Sequence, residues 1–358
     1  MPPLSLMIKP ASGKCNLRCR YCFYHDVAEN RETPDKGNMS LSLLETTLIK
    51  AFKYADGNQM LVNFQGGEPL LAGKGFMRAA INMINRLNVK KSPVYLGIQT
   101  NGTLIDDEWC GIFAENRFLV GLSLDGDETA NENRVDADGN PTFEKVLNAA
   151  TLLEKHGVQF NILSVLTAKN AMRIDKIYNF FKSKGFNQIQ FIPCLKPLSG
   201  DTADNGFYLD CKSYGAFLLT AFALYQNDMK NGRYVSIRQF DNFVRLARFE
   251  QAEQCGMNGH CTHQFVVEAD GSVYPCDFYC TDDYYLGNIS TDDFSSLEHS
   301  PRAVAFIRES LEIPEQCKKC EFYMMCKGGC KRERRDLDKC TAYKTFFRLA
   351  LPYLKRMY

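Results

Sequence analysis

Three cysteines near the N-terminus, Cys15, Cys19 and Cys22, have the spacing C-x3-C-x2-C. Cysteine thiolates hold iron–sulfur clusters, and clusters that only carry electrons usually have every iron capped by protein. Three thiolates leave one iron of a four-iron cluster open, and an open iron can bind and activate a small molecule. The alternatives are a zinc site or cysteines packed in a core, but zinc sites usually close with four ligands. The spacing therefore favours a cluster with an open iron.

The spacing, together with the aromatic Tyr21 and Phe23 beside the third cysteine, resembles the radical S-adenosylmethionine (SAM) superfamily. The resemblance implies that the open iron chelates SAM and that SAM cleavage yields a 5′-deoxyadenosyl radical. The GGEP motif at residues 66–69 matches the GGE element of that superfamily. By the same resemblance, the candidate SAM-binding residues are Tyr21, Gly67, Ser123, Arg134 and Leu195.

Each of these candidates also has an ordinary structural interpretation. Ser123 could simply end a strand, Arg134 could be a solvated loop charge, and Leu195 could pack in the core. An arginine fork nevertheless suits a carboxylate. The neutral side chains of Gln65, Gln99 and Asn101 could hold a peptide backbone or stabilise turns.

A second group of cysteines begins at residue 255, and its pattern resembles the SPASM extension of peptide-modifying radical SAM enzymes. That extension carries two auxiliary [4Fe-4S] clusters, which makes three clusters in all. In ferredoxin-like runs the last cysteine ligates the other cluster. This rule predicts one cluster on Cys255, Cys261, Cys276 and Cys330, and a second cluster on Cys317, Cys320, Cys326 and Cys340.

Eight thiolates cap two clusters completely, so these clusters are expected to transfer electrons. Cys280 competes with Cys255 as the eighth ligand. A pair of zinc ribbons, or one cluster with one zinc ion, is the alternative.

Four longer segments narrow the resemblance to the anaerobic sulfatase-maturating enzymes, and it extends from Met1 to beyond Cys340. The segments are MPPLSLMIKPASGKCNLRCRYCFYH, FQGGEP, IQTNGTLIDDEW and CGMNGHCTHQFVVEADGSVYPCDFY. The resemblance implies that a cysteine or serine in a sulfatase C/S-x-P/A-x-R motif is oxidised to Cα-formylglycine. The adenosyl radical would remove a Cβ hydrogen, Asp277 would act as the base, and the auxiliary clusters would take up an electron.

Other interpretations stay open at this point. Asp277 could merely cap a turn after Cys276. The chain could be another SPASM peptide modifier that forms a thioether or carbon–carbon crosslink, or an electron carrier without enzymatic activity. The implied partners are an unfolded or nascent sulfatase peptide and an electron donor such as flavodoxin or ferredoxin, acting on a monomer.

Alternating apolar runs and amphipathic stretches predict the elements that position these residues. Strands are predicted over Leu4–Lys9, Leu61–Gln65, Val94–Gln99, Phe118–Leu124, Phe160–Leu166 and Gln188–Pro193. Helices are predicted over 42–56, 74–88, 107–116, 142–156, 171–184 and 212–230, the first with a capping box of Ser42 and Glu45. About six parallel strand–helix units predict an α/β fold, and the superfamily resemblance implies an incomplete (β/α)6 barrel.

Chemistry in parallel α/β folds lies at the C-terminal ends of strands. This places residues 15–22, 66–68, 99–101 and 123–125 on one rim. A β-hairpin is predicted to turn at Asp270 and Gly271. The predicted domains are the radical SAM barrel (1–230), the SPASM domain with its connecting segment (231–340) and a C-terminal helix (341–358).

Composition limits the remaining possibilities. The chain has 358 residues, 45% hydrophobic and 24% charged, with a formal net charge of +1. This balance gives no overall attraction to nucleic acid or anionic membranes, and no apolar run approaches the roughly 20 residues of a membrane span. The N-terminus lacks a signal-peptide pattern. With 15 cysteines and no expected disulfides, the sequence predicts a cytoplasmic, metal-binding protein.

Overall fold

A computed structural model of the chain describes residues 3–198, 206–336 and 339–357. Its strands, in chain order, are β1 (Leu4–Ile8), β2 (Met60–Phe64), β3 (Val94–Thr100), β4 (Leu119–Ser123), β5 (Gln159–Leu166), β6 (Gln188–Pro193), β7 (Ser236–Ile237), β8 (Val266–Val267), β9 (Ser272–Tyr274) and β10 (Gly287–Asn288). The six predicted strands are confirmed, with ends that differ by at most one residue.

The helices alternate with the strands in the first two thirds of the chain and dominate the last third. They are α1 (Phe23–Glu29), α2 (Leu41–Ala55), α3 (Gly73–Leu87), α4 (Asp107–Glu115), α5 (Phe143–Lys155), α6 (Ala168–Ala171), α7 (Ile174–Ser183), α8 (Cys211–Lys230), α9 (Arg238–Ala247), α10 (Phe294–Glu298), α11 (Pro301–Ser310), α12 (Tyr323–Cys326), α13 (Lys331–Asp336) and α14 (Cys340–Leu354). Among the described residues, no helix is long and apolar enough to cross a bilayer.

The chain divides into two compact units, and the first contains Met1–Ser123, Asn133–Phe160 and His263–Phe306. In this unit the strands are ordered β10-β9-β8-β1-β2-β3-β4. β1 pairs in parallel with β2 on one side and with β8 on the other. Alternate residues of β1 and β2 are buried, including Leu6, Ile8, Val62 and Phe64. The parallel order brings the ends of β1, β2, β3 and β4 to one edge, as expected.

The second unit contains Leu124–Glu132, Asn161–Thr262 and Ile307–Tyr358. Here β6 pairs in parallel with both β5 and β7. The helices α8, α9 and α14 pack through rings, and Phe240 and Phe346 lie 6.0 Å apart between centroids. Both rings are fully buried, and apolar area removed from water is the main force that holds such an interface.

Two local predictions have different outcomes. The hairpin is confirmed, because β8 and β9 pair antiparallel and Gly271 has φ +85° at the turn. The capping box of Ser42 and Glu45 is wrong. The N-cap of α2 is Ser40, whose side chain accepts a hydrogen bond from the Leu43 backbone N–H, and the helix starts at Leu41. Both serines suit an N-cap by residue type, and only the backbone conformation distinguishes them.

Candidate active site

The loop between β1 and α1 carries Cys15, Cys19 and Cys22, and Cys22 directly precedes α1. The Cys15 Sγ accepts a hydrogen bond from the Leu17 N–H at 3.3 Å, and Asn101 Nδ2 lies 3.6 Å from it. Burial raises the pKa of the Cys15 thiol to about 11, and the nearby Glu68 and Cys22 add to the rise. A metal ion reverses this preference, because a coordinated thiol is deprotonated.

Two glycines fasten this loop to the end of β2. Gly66 has φ +126°, and a Cβ on Gly67 would lie 2.1 Å from the Lys14 carbonyl oxygen. The backbone N–H groups of Gly67 and Glu68 donate to the carbonyls of Ser12 and Lys14 at 2.9 and 2.7 Å. The glycines therefore let β2 approach the protein's own cysteine loop, a contact that the sequence did not reveal.

Glu68 joins the ends of β2 and β3 and is fully buried. Its Oε1 accepts from the Leu70 N–H and the Thr100 hydroxyl, and its Oε2 accepts from the Asn101 N–H. Burial raises the pKa of this carboxyl to about 7, against the opposing effect of these hydrogen bonds. The GGE motif is thus a structural joint in which each residue has a defined contact.

The predicted SAM-binding residues occupy both units. In the first unit, the Arg134 guanidinium lies 5.6 Å from the centroid of the Tyr21 ring and is buried, which excludes the solvated-charge interpretation. Ser123 is buried at the end of β4, as predicted. Leu195 is half-buried in the second unit, just after β6.

Asp277 follows β9 in the first unit and is mostly buried. Its Oδ2 accepts from the Tyr24 hydroxyl at 2.7 Å and from Gln65 Nε2 at 3.4 Å, and its Oδ1 lies 2.9 Å from Lys9 Nζ. Gln65 Nε2 also donates to the Tyr24 oxygen at 2.5 Å. A residue that only capped a turn would not collect contacts from three distant segments.

Lys9 is the buried cation of this site. Its Nζ lies 3.8 Å from Glu268 Oε1 and 4.9 Å from the centroid of the Tyr24 ring. Arg31 is a second cation beside Glu268, with its Nη1 2.7 Å from the same Oε1. Burial alone would lower the pKa of Lys9, but Asp277 and other nearby anionic groups raise it overall. Burial and Asp277 also raise the pKa of Tyr24.

Sequence reasoning found Asp277 and Gln65 but missed Lys9 and Tyr24. The signal for Lys9 was a lone charge at the end of an otherwise apolar strand, LSLMIK, where a lysine is rarely buried unless it is paired. Tyr24 lies two residues after Cys22 and gave no separate signal.

The cysteines of the second block fall into groups by electrostatic proximity. Burial raises the pKa of Cys326 to about 11, and Cys317, Cys320 and Cys340 add to the rise. These four cysteines are those predicted to hold the second auxiliary cluster, and the assignment stays a prediction. Within the described residues, no three or more His, Cys, Asp or Glu side chains are already drawn together as a metal site. The donor set itself, thiols from one compact segment, is the chemistry that iron–sulfur clusters require.

Three cysteines of the first predicted set, Cys255, Cys261 and Cys330, lie in the second unit. Burial raises the pKa values of Cys255, Cys261 and Cys330, and each of these thiols is further influenced by another of the three. Cys276 lies in the first unit, next to Asp277. Cys280 is fully buried there, and Lys9 Nζ donates to its sulfur at 3.3 Å.

The chain matches two family models, the radical SAM superfamily over residues 10–181 and an iron–sulfur cluster-binding domain, SPASM, over residues 255–321. It is 46% identical to a cysteine-type anaerobic sulfatase-maturating enzyme of Clostridium perfringens, with 99% of this chain and 98% of the relative aligned. This chain belongs to the anaerobic sulfatase-maturating enzymes.

More distant and structural matches agree with this family. A serine-type anaerobic sulfatase-maturating enzyme of Bacteroides thetaiotaomicron is 33% identical over 99% of this chain and 91% of its own length. The solved structure of native anSMEcpe with bound AdoMet and Cp18Cys peptide is 43% identical, with a TM-score of 0.94 over 99% of this chain and 98% of that one.

Membership in the sulfatase-maturating family confirms several predictions at once. The chain is a radical SAM enzyme, its cofactors are [4Fe-4S] clusters and SAM, and its fold is the partial barrel with a SPASM extension. Formylglycine generation is the reaction of this class.

Proposed function

We propose that this enzyme oxidises a cysteine, or a serine, in a C/S-x-P/A-x-R motif of a sulfatase to Cα-formylglycine. The observation that carries the proposal is Asp277, a carboxylate held by Lys9, Tyr24 and Gln65 at a mostly buried position. Support also comes from the relatives, which are named as cysteine-type and serine-type maturases, and from the anSMEcpe structure with a Cys-containing peptide.

When bound, SAM and the cluster on Cys15, Cys19 and Cys22 would supply the radical that removes a Cβ hydrogen, and the auxiliary clusters would accept one electron from the peptide. The protein must then remove the Sγ or Oγ proton, which we assign to Asp277. A general base has to lie within hydrogen-bond reach of the proton that it takes. Loss of one hydrogen atom, one electron and one proton converts a cysteine to a thioaldehyde, and hydrolysis releases sulfide and leaves the aldehyde.

The neighbours of Asp277 suit this role. Lys9 compensates the carboxylate charge in a buried setting, where an unpaired charge is strongly disfavoured. The Tyr24 hydroxyl and Gln65 amide both reach Oδ2, so they fix the orientation of the carboxylate. We propose that this carboxylate accepts the Sγ or Oγ proton of the peptide.

We also propose that SAM is bound by Tyr21, Gly67, Ser123, Arg134 and Leu195.

For the clusters, we propose that Cys15, Cys19 and Cys22 hold the first one and leave one iron open. Cys317, Cys320, Cys326 and Cys340 hold one auxiliary cluster. We choose Cys255 over Cys280 for the other, with Cys261, Cys276 and Cys330, because Cys255 adjoins Gly256, whose added Cβ would lie 2.9 Å from the Cys330 Cβ. Iron analysis near twelve atoms per chain supports this count, and a value near four excludes the auxiliary clusters.

The test is Asp277→Asn in the iron-loaded enzyme, incubated with a peptide that carries C-x-P-x-R. We expect aldehyde formation to fall by roughly 10²-fold, the usual contribution of a general base, while deuterium from a Cβ-labelled peptide still reaches 5′-deoxyadenosine. Asp283→Asn, an exposed carboxylate in the same segment, is the control. Aldehyde formation at the parental rate by Asp277→Asn would show that Asp277 is not the base.

The same peptide separates the alternatives. A thioether or carbon–carbon crosslink leaves no aldehyde that a hydrazide can trap. An electron carrier would release no 5′-deoxyadenosine. The protein donor of electrons, the monomeric state, the cytoplasmic location and the domain boundaries at residues 230 and 340 stay predictions.

A further inference from the structure

A buried ion pair in the second unit lies among the cysteines proposed to ligate the auxiliary clusters. Lys339 Nζ is 2.5 Å from Glu333 Oε2, and the two side chains are 9% and 17% exposed. Lys339 directly precedes Cys340, and Glu333 follows Cys330 by three residues. The mechanism above uses neither charge, although burial of an ion pair is costly unless its geometry and its surroundings compensate.

The surroundings of the pair are polar and enclosed. Lys339 Nζ lies 4.9 Å from the centroid of the Tyr214 ring, and Tyr214 accepts a hydrogen bond from Gln239 Nε2 at 2.5 Å. The Tyr343 hydroxyl lies 3.4 Å from the Tyr214 hydroxyl. A cavity of about 20 Å³ opens among these side chains, which is enough for about one water molecule.

The pair is close to thiols of both predicted cluster sets. Gly256 lines the same cavity as Glu333 and Lys339, and a Cβ on Gly256 would lie 2.9 Å from the Cys330 Cβ. Cys326, from the other set, lines the same cavity. The reduction potential of an iron–sulfur cluster depends on nearby charge, on hydrogen bonds to its sulfurs and on solvent exposure.

We propose that Lys339 and Glu333 set the reduction potential of the auxiliary cluster ligated through Cys330, with opposite signs. Reduction adds a negative charge to a cluster, so the Lys339 cation stabilises the reduced form and the Glu333 carboxylate destabilises it. Buried charges are screened by salt much less than exposed ones. Salt should therefore change their effect on the potential less than it would change the effect of an exposed charge. This inference depends on the cluster assignment proposed above.

The experiment is a redox titration of the anaerobic, iron-loaded full chain, followed by electron paramagnetic resonance. Replacement of Cys15, Cys19 and Cys22 by alanine in every sample removes the overlapping signal of the first cluster. We expect Lys339→Met to lower the reduced-to-oxidised ratio about tenfold at the parental midpoint, which corresponds to about −59 mV for one electron. Glu333→Gln should raise the same ratio.

Two further variants separate charge from packing. Lys339→Arg keeps the cation and should restore the parental midpoint, whereas Lys212→Met removes an exposed lysine of the same unit and should change nothing. Shifts of the same sign in Lys339→Met and Glu333→Gln would overturn the proposal, as would unshifted midpoints at parental iron content. Unshifted midpoints in this background overturn this inference alone when the same substitutions, with Cys15, Cys19 and Cys22 intact, still form formylglycine. If the chain that keeps Cys15, Cys19 and Cys22 holds only about four irons, the cluster assignment is overturned as well.

Discussion

Replacement of Lys9 by methionine is the sharpest test of how the catalytic carboxylate is held. Methionine keeps the unbranched stem of lysine but removes the charge that lies 2.9 Å from Asp277 Oδ1. Glu268 keeps Arg31 at 2.7 Å after this change. The substitution therefore leaves Asp277 without a neighbouring cation, whereas Glu268 keeps one.

The magnitude follows from the burial of the two groups. The Lys9 side chain is 2% exposed and that of Asp277 is 11% exposed. Removal of one partner of a buried pair costs about 3–5 kcal/mol, and the residual exposure of Asp277 places the expected loss near about 3 kcal/mol. Tyr24 and Gln65 still donate to Oδ2 of Asp277, but the cation that balances the carboxylate and holds Oδ1 is lost. We therefore expect aldehyde formation to fall roughly 10²-fold.

The assay combines anaerobic urea unfolding, followed by circular dichroism, with the peptide reaction. Lys53→Met is the matched control, because Lys53 makes the same type of contact with Asp293 at 2.8 Å but is 72% exposed. Its unfolding midpoint and reaction rate should equal those of the parent. Exposed ion pairs of this kind contribute little.

A double-mutant cycle decides whether the loss of stability in Lys9→Met comes from the Asp277 carboxylate that has lost its cation. In the Asp277→Asn background this carboxylate is absent. Lys9→Met should therefore lower the unfolding free energy there by less, the difference being at least about 1 kcal/mol. Equal costs in both backgrounds would refute the reasoning and leave Lys9 as an ordinary packing residue.

Three more changes test the rest of the site. Tyr24→Phe removes the hydroxyl that donates to the Asp277 carboxylate but keeps the ring, so aldehyde formation should fall about tenfold at parental iron content. An unchanged rate would show that this hydrogen bond does not contribute to the reaction. Gly67→Ala puts a Cβ 2.1 Å from the Lys14 carbonyl oxygen. Because this contact displaces the cysteine loop, iron analysis should show the loss of about four irons per chain. Gly75→Ala is the control, since its Cβ meets open space, and this variant should retain all the irons. Glu68→Gln should lower the unfolding free energy by about 1–3 kcal/mol because its amide N–H₂ would face a buried N–H donor. The folded pKa of Glu68, about 7, is raised above its usual value of 4.5, so the parent should lose stability as pH rises from about 4.5 to 7, and the glutamine variant should lack that slope.

The sequence predicted the strands and helices of the barrel because apolar periodicity decides which face each element buries. It predicted Asp277 only through resemblance to a family. Lys9 was out of reach, because its partners Asp277 and Glu268 are more than 250 residues away in the chain. The capping box failed for the opposite reason, since Ser40 and Ser42 are nearly equivalent candidates and a two-residue difference depends on backbone conformation.

The glycines of the GGE motif illustrate a different limit. Their role as a close-approach site was predicted, but the object they approach was taken to be the cofactor. The Ser12 and Lys14 carbonyls also lie against these glycines, and SAM binding at Gly67 stays a prediction. Residue type reveals that space is needed, whereas the tertiary fold decides what fills that space.

The position of β1 between β2 and β8 has a consequence for synthesis on the ribosome. β2 follows β1 by about fifty residues, but β8 emerges only about 260 residues after it. At 5–20 residues per second, one edge of β1 stays unpaired for roughly 13–50 s. Exposed strand edges invite aggregation, and lysine is one of the residues that discourage it. Lys9 lies at the end of that edge, and its carboxylate partners Glu268 and Asp277 emerge only after the same interval.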